Sequence, residues 1–125
     1  MSDLFSLAGK TALVTGGSRG LGREMVLAFA RAGADVVIAS RKLDACEAVA
    51  RDVEALGRRA LPFAAHVGQW NDNDRLAEAA YAAFGRVDIL VNNAGMSPLA
   101  PSLVETAEAL FDKVVAVNFK GPFRL

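Results

Sequence analysis

Residues 11–22 read Thr-Ala-Leu-Val-Thr-Gly-Gly-Ser-Arg-Gly-Leu-Gly, an apolar run that leads into closely spaced glycines. The apolar run predicts a buried strand, and the residues from Gly20 onward predict a helix. Gly16 allows a tight turn, Gly20 lets an anion approach the backbone, and Gly22 lets the helix pack against the sheet. The unpaired N–H groups of the helix's first turn would face that anion, so the loop predicts a phosphate site.

The rest of the chain continues this alternation of strands and helices. Further strands are predicted at 36–39, 60–64 and 87–91, with helices at 20–32, 43–56, 73–84 and from about 106 onward. We expect the first helix to bury Leu21, Met25, Ala28, Phe29 and Ala32. Pro62 cannot donate to a ladder and favours an edge position for the third strand. The pattern predicts an α/β fold with a doubly wound parallel sheet (a Rossmann fold) in the strand order 3-2-1-4.

Composition and charge exclude several classes of protein. The 125 residues fit one domain, and the 53% hydrophobic content argues against disorder. Lys plus Arg and Asp plus Glu are 14 each, so a nucleic acid or an anionic membrane is not the expected partner. A single cysteine, Cys46, and the lack of a Cys/His cluster predict neither a disulfide nor a metal site. With no signal peptide and no long apolar run, we expect a cytoplasmic protein.

Three motifs together resemble the short-chain dehydrogenase/reductase family. They are the T-G-x-x-x-G-x-G spacing of residues 15–22, Asn-Asn-Ala-Gly at 92–95, and Val117-Asn118 with Gly121. The resemblance covers the whole chain but only the first half of a typical family member. It implies that residues 1–125 are an NAD(P)-binding Rossmann domain, cut before the catalytic Tyr-x-x-x-Lys segment.

The resemblance also implies which residues bind the cofactor. In this family the glycine loop holds the cofactor's pyrophosphate, mainly through main-chain N–H groups, the residues after the fourth strand lie against its ribose, and those after the third strand touch its adenine. Asn92 would instead help to hold the sheet together, and Asn93 could also simply pin a loop. His66 stands where similar proteins often have an acidic residue, and it could be only a satisfied polar side chain. The matching positions are Gly16, Ser18, Gly20 and Leu21 for the pyrophosphate, Asn93, Ala94 and Gly95 for the ribose, and His66 and Val67 for the adenine.

The end of the second strand indicates which cofactor is bound. An NAD site usually places an acid there to accept from the ribose 2′-OH, but this strand ends Ala39-Ser-Arg-Lys42. Arg41 offers a forked donor that suits a 2′-phosphate, and Arg19 could reach the same group. The sequence therefore predicts NADP rather than NAD. The alternative is that Arg41 and Lys42 are only a solvated start of the next helix.

The family's chemistry is hydride transfer between a nicotinamide and a carbonyl or alcohol substrate, with a tyrosine and a lysine four residues apart as the proton-transferring pair. Tyr81 is the only tyrosine, and Gly85 stands four residues later, so the pair is absent. Asn118 matches the family's helix asparagine and is the one catalytic candidate; it could instead be a polar residue at a helix irregularity near Pro122.

Three functions stay open at this point. They are the N-terminal half of an NADP-dependent oxidoreductase, a non-catalytic dinucleotide-binding fragment, and an interaction fragment whose incomplete sheet pairs with another chain. We expect the 125 residues alone to be inactive and the full-length protein to be a homo-oligomer.

Overall fold

Residues 3–125, which the computed structural model describes, form a four-stranded parallel sheet that is covered by helices on both faces. The strands are β1 (Thr11–Thr15), β2 (Asp35–Ser40), β3 (Ala60–Ala64) and β4 (Ile89–Val91). The helices are α1 (Gly20–Arg31), α2 (Leu43–Ala55), α3 (Trp70–Phe84), α4 (Glu108–Val115) and α5 (Gly121–Arg124). A 3-10 turn at Asp3–Phe5 precedes β1, and a π-helical turn at Ala116–Lys120 joins α4 to α5.

The strand order is β3-β2-β1-β4 and every pairing is parallel, which confirms the predicted fold class. In register, Ala12 lies between Val36 and Ile89. Pro62 lies in β3, which pairs with β2 at the edge of the described sheet, so the predicted edge position is confirmed. Since all four strands run the same way, the segments that follow them meet at one edge of the sheet.

Alternate residues of the central strands pack into two cores. Val14, Val36 and Ile38 pack against α1 and α2 on one face of the sheet. Leu13 and Val37 pack against α3 on the other face. Because β1 and the inner residues of β2 are buried on both sides, they form a rigid base for the segments at the sheet's carboxyl edge.

The predicted buried face of α1 is wrong. The helix buries Gly22, Val26, Leu27 and Ala30, whereas the side chain of Leu21 is 71% exposed. The sequence carries apolar residues on two adjacent faces of this helix, so hydrophobic periodicity alone does not choose between them. The choice depends on Gly22, whose lack of a side chain allows the helix to approach the loop after β1.

Three elements begin two or three residues away from their predicted starts, while the other boundaries lie within one residue of the prediction. β4 begins at Ile89 rather than at Val87, because the carboxylate of Asp88 replaces a backbone carbonyl as the acceptor for the Thr11 N–H. α3 begins at Trp70 rather than Asn73, whose side chain is turned back to the Val67 carbonyl. α4 begins at Glu108, two residues after the predicted start.

The irregularity predicted near Pro122 is present as the π-helical turn at Ala116–Lys120. The Gly121 N–H donates to the Ala116 carbonyl, five residues earlier. Pro122, in the first turn of α5, has no N–H to continue the preceding hydrogen-bond pattern. The turn positions Asn118 beside the segment that follows β4.

Asp88 should make stability depend on pH. Its Oδ2 accepts the Thr11 N–H at 2.9 Å and its Oδ1 accepts from the Arg86 guanidinium at 3.0 Å. Arg86 first, and the Thr11 N–H second, hold the pKa of Asp88 below its usual range. The stabilisation is therefore complete above the pKa of an unfolded aspartate, about 3.9, and is lost as pH falls through the lower folded value.

We expect the urea midpoint of the protein to fall as the pH is lowered below about 4, through the lowered pKa of Asp88, and Asp88→Asn to reduce that fall. Asp112→Asn is the matched control, because Asp112 is an exposed aspartate of α4 with no hydrogen bond from its side chain among residues 3–125. The assignment to Asp88 fails if both variants keep the full pH dependence of the unmodified protein.

Candidate functional site

The glycines of the loop between β1 and α1 have distinct roles. A Cβ on Gly16, where φ is +63°, would lie 2.9 Å from Asn93 Nδ2, and one on Gly22 would lie 2.0 Å from the Gly16 carbonyl oxygen. Gly20 has a φ of +56°, and a Cβ there would meet nothing within 4 Å. Gly16 and Gly22 therefore allow close packing inside the protein, while Gly20 shapes the open side of the loop.

The start of α1 offers free hydrogen-bond donors. Arg19, the residue before the helix, is extended, and its side chain does not cap the helix. The first turn contains no acidic residue. The N–H groups of that turn therefore keep the partial positive charge of a helix N-terminus, which favours a bound anion.

Thr15 and Asn93 join the glycine loop to the segment after β4. Thr15 Oγ1 accepts the N–H groups of Asn93 and Ala94 at 3.1 and 3.0 Å. Asn93 Nδ2 donates to the Gly16 carbonyl at 3.1 Å. The side chain that crosses between the strand ends is thus that of Asn93, whereas Asn92, expected to hold the sheet, is exposed. The loop-pinning alternative for Asn93 is confirmed, and its contact with a ribose stays a prediction.

A cleft of about 670 Å³, which we call the cofactor cleft, lies at the carboxyl edge of the sheet. It brings together ten of the eleven residues predicted to bind a cofactor: Gly16, Ser18, Arg19, Gly20, Arg41, His66, Val67, Asn93, Ala94 and Gly95. Leu21 is the exception, since its exposed side chain lies outside the lining, although its N–H belongs to the first turn of α1.

Sequence reasoning missed eight lining residues: Ala39, Ser40, Lys42, Ala45, Ala65, Met96, Lys113 and Val117. Most of them could have been found, because they end or directly follow a predicted strand. Lys113 is different. It comes from α4, and no signal in the sequence indicates that this helix reaches the strand ends.

The lining of the cofactor cleft is strongly cationic. Arg19, Arg41, Lys42 and Lys113 line it, and no aspartate or glutamate does. None of the ion pairs found within residues 3–125 uses these four side chains. Ser40 Oγ accepts the Lys42 N–H at 3.3 Å and so orders the segment that carries Arg41. The arrangement suits an anion with more than one phosphate.

The residues after β3 form another part of the lining. The His66 N–H donates to Asp72 Oδ2 at 2.9 Å, and His66 Nδ1 accepts the Gly68 N–H at 3.0 Å. Val67 is buried, and its carbonyl accepts from Asn73 Nδ2 at 2.9 Å. This segment is therefore held from both sides, and it places an imidazole beside a small apolar surface.

Asn118 is fixed against the segment after β4. Its Nδ2 donates to the Met96 carbonyl at 2.7 Å and its Oδ1 accepts the Met96 N–H at 2.9 Å. It lines a recess of about 600 Å³ that shares residues 93–96 with the cofactor cleft. The catalytic role of Asn118 stays a prediction. Tyr81 lies on the exposed side of α3.

Metal-ligating side chains do not cluster anywhere in the described range 3–125. Within that same range, no helix combines the length and the apolar character that a bilayer span requires.

Three comparisons place these features among known proteins. A family model described as "short chain dehydrogenase" matches residues 10–125. An uncharacterized oxidoreductase of Mycobacterium tuberculosis is 50% identical over 93 residues, which cover 74% of this chain and 35% of that protein.

Two solved structures share the fold. L-sorbose reductase from Gluconobacter frateurii, complexed with NADPH and L-sorbose, is 32% identical with a TM-score of 0.93; the match covers 97% of this chain and 46% of the reductase. A 3-ketoacyl-(acyl-carrier-protein) reductase from Brucella melitensis, complexed with NADH, is 40% identical with a TM-score of 0.87; the match covers 95% of this chain and 48% of that reductase. The chain thus spans less than half the length of each of these three proteins.

Proposed function

Because this chain belongs to the short-chain dehydrogenase family, we propose that its cofactor cleft binds NADP(H) and serves an oxidoreductase that acts on a carbonyl or alcohol substrate. The observation that carries the proposal is the charge of the cleft. Four cationic side chains line it without any carboxylate, around a glycine loop that leaves the start of α1 open.

The residues present fit a dinucleotide phosphate in two respects. The first turn of α1, with the open position at Gly20, would hold the pyrophosphate through N–H groups. Arg41, with Arg19, would hold the 2′-phosphate, since β2 ends without an acid that could accept from a ribose 2′-OH.

The segment after β4 would hold the nicotinamide half of the cofactor. When bound, NADP(H) supplies hydride chemistry to the site. This chain's own residues position that segment: Thr15 accepts two of its N–H groups, and Asn118 bonds to both backbone groups of Met96. A proton donor for the reacting oxygen is absent from these 125 residues, because they contain no Tyr-x-x-x-Lys.

Arg41→Ala tests the choice of cofactor. We expect the unmodified chain to bind NADPH more tightly than NADH in isothermal titration calorimetry. Losing a charge-assisted phosphate contact costs about 2 to 3 kcal/mol, so the variant should bind NADPH about 30- to 150-fold more weakly. NADH affinity should stay within about twofold, because NADH has no 2′-phosphate.

Arg51→Ala is the matched control, since Arg51 is an exposed arginine of α2 outside the cofactor cleft. It should leave both affinities unchanged. Tighter binding of NADH by the unmodified chain, or equal losses for the two cofactors in Arg41→Ala, would contradict the NADP assignment.

Three properties of the whole protein follow as expectations. Hydride transfer to or from a carbonyl or alcohol carbon, assembly as a homo-oligomer and a cytoplasmic location are predicted, and the substrate itself is left open. The domain boundary at 1–125 likewise stays a prediction.

A further inference from the structure

A buried asparagine links α3 to the segment that follows β4. Asn73 is 1% exposed, and its Nδ2 donates to the Val67 carbonyl at 2.9 Å. We propose that Asn73 is a positioning residue: by holding this carbonyl it fixes the π-helical turn, and through Asn118 it fixes Met96 in the lining of the cofactor cleft. The inference goes beyond the proposed function, because it concerns the geometry of the chain itself and its test needs no bound cofactor.

The side-chain amide of Asn73 is paired on one side only. A carbonyl can only accept a hydrogen bond, so Asn73 presents its Nδ2 to Val67. Its Oδ1 is buried and has no hydrogen-bond partner within residues 3–125. An unpaired buried acceptor is unfavourable, and a leucine of similar shape would not carry one. What the asparagine provides and a leucine does not is a fixed direction for the Val67 carbonyl.

The Val67 carbonyl is also the surface against which the π-helical turn lies. A Cβ on Gly121, whose N–H closes the turn, would lie 2.2 Å from the Val67 oxygen, so the two backbones are in direct contact. A Cβ on Gly68 would lie 3.1 Å from Val117 Cγ2, so the turn contacts the same segment a second time. A change in the direction of the Val67 carbonyl therefore displaces the turn.

The π-helical turn carries the side chain that holds Met96. Asn118 donates to the Met96 carbonyl at 2.7 Å and accepts the Met96 N–H at 2.9 Å. Asn118 stands between Val117 and Gly121, the two residues through which the turn contacts the segment after β3. A displacement of the turn therefore changes both bonds to Met96, and continuous contacts join this residue to Asn73.

Two other polar contacts join α3 to the same surroundings, and neither involves the Val67 carbonyl. Asp72 Oδ2 accepts the His66 N–H at 2.9 Å, and Arg124 of α5 donates to Asp74. These contacts keep the end of β3 and α5 attached to α3. We therefore expect the loss of the Asn73 contact to displace the π-helical turn locally while both of its neighbours stay in place.

The test measures hydrogen exchange of single backbone amides by NMR, on the chain without cofactor. The Met96 N–H reports on its bond to Asn118. The Val36 N–H donates to the Arg59 carbonyl from a fully buried residue and reports on global unfolding. In Asn73→Leu we expect the Met96 amide to exchange about three- to tenfold faster, the factor that corresponds to one lost hydrogen bond, and by a larger factor than the Val36 amide.

Asn71→Leu is the matched control, because Asn71 is an exposed asparagine in the same turn of α3 and its side chain makes no hydrogen bond within residues 3–125. It should leave the exchange of both amides unchanged. Asn118→Ala removes the acceptor of the Met96 N–H and therefore sets the upper limit of the effect.

Faster exchange of Met96 in Asn73→Leu, without a matching change at Val36, supports the proposal. Equal factors at the two amides refute it, because a residue that only stabilises the fold changes all protected amides together. A Met96 amide that is unprotected in the unmodified chain also refutes it.

If Asn73→Leu does not fold, as thermal denaturation would show, Asn73→Ala takes its place, since it removes the donor without adding bulk. Failure of both variants to fold would assign Asn73 to the stability of the whole domain and refute the local role. Titration with NADPH is a separate measurement. A chain that does not bind NADPH contradicts the proposed function, whereas the exchange rates still decide the role of Asn73.

Discussion

Gly22→Ala is expected to weaken NADPH binding at least about 100-fold. The new Cβ would lie 2.0 Å from the Gly16 carbonyl oxygen and 2.8 Å from the Gly16 carbonyl carbon. Both are backbone atoms, so the loop or the start of α1 must move. The N–H groups that would hold the pyrophosphate lie on these same segments, and losing two charge-assisted hydrogen bonds costs about 3 kcal/mol or more.

The same substitution should lower the free energy of unfolding by about 1 to 3 kcal/mol, as for other overpacked positions. Gly57→Ala is the control for a Gly-to-Ala substitution without a steric clash. Gly57 has a φ of +84°, and a Cβ there would meet nothing within 4 Å. It should cost about 1 kcal/mol of stability and leave NADPH affinity unchanged. If Gly22→Ala binds NADPH as tightly as Gly57→Ala does, the packing role of Gly22 and the phosphate site at α1 are both wrong.

The parts of the fold that could be predicted are those in which local signals agree. The alternation of apolar runs with amphipathic segments, separated by glycines, predicted four parallel strands in the observed order. Parallel strands bring their carboxyl ends to one edge, and this is why residues as distant in sequence as Ser18, Arg41 and Gly95 could be assigned to one cleft.

The predictions that were wrong or incomplete concern features that depend on contacts, which hydrophobic periodicity does not detect. The buried face of α1 depends on Gly22, which adds nothing to an apolar pattern and yet makes the closest approach to the loop. The start of β4 depends on a carboxylate that substitutes for a backbone carbonyl at Asp88. Lys113 and the pairing of Asn118 with Met96 depend on how α4 and the π-helical turn lie over the sheet.

Thr15 is the second position where a small change should have a large effect. It is 1% exposed, and its hydroxyl accepts the Asn93 and Ala94 N–H groups while donating to the Val91 carbonyl at 3.4 Å. Valine has the same shape but no acceptor, so Thr15→Val leaves two partly buried N–H groups without a partner. Each such group costs about 1 to 3 kcal/mol, so we expect a total loss of about 2 to 6 kcal/mol in denaturant unfolding.

Thr11→Val provides the matched control, because Thr11 lies in the same strand, is 3% exposed, and makes no side-chain hydrogen bond within residues 3–125. It should change the free energy of unfolding by less than about 0.5 kcal/mol, since an apolar group of equal shape replaces a hydroxyl with no protein partner.

Thr15→Ser keeps the hydroxyl and should lose about 1 kcal/mol for the missing methyl group. Equal losses in the two valine variants would show that burial, and not the hydrogen bonds of Thr15, stabilises the segment after β4. A larger loss in Thr15→Val, accompanied by weaker NADPH binding, would identify the Thr15 hydroxyl as the group that holds the two halves of the cofactor cleft together.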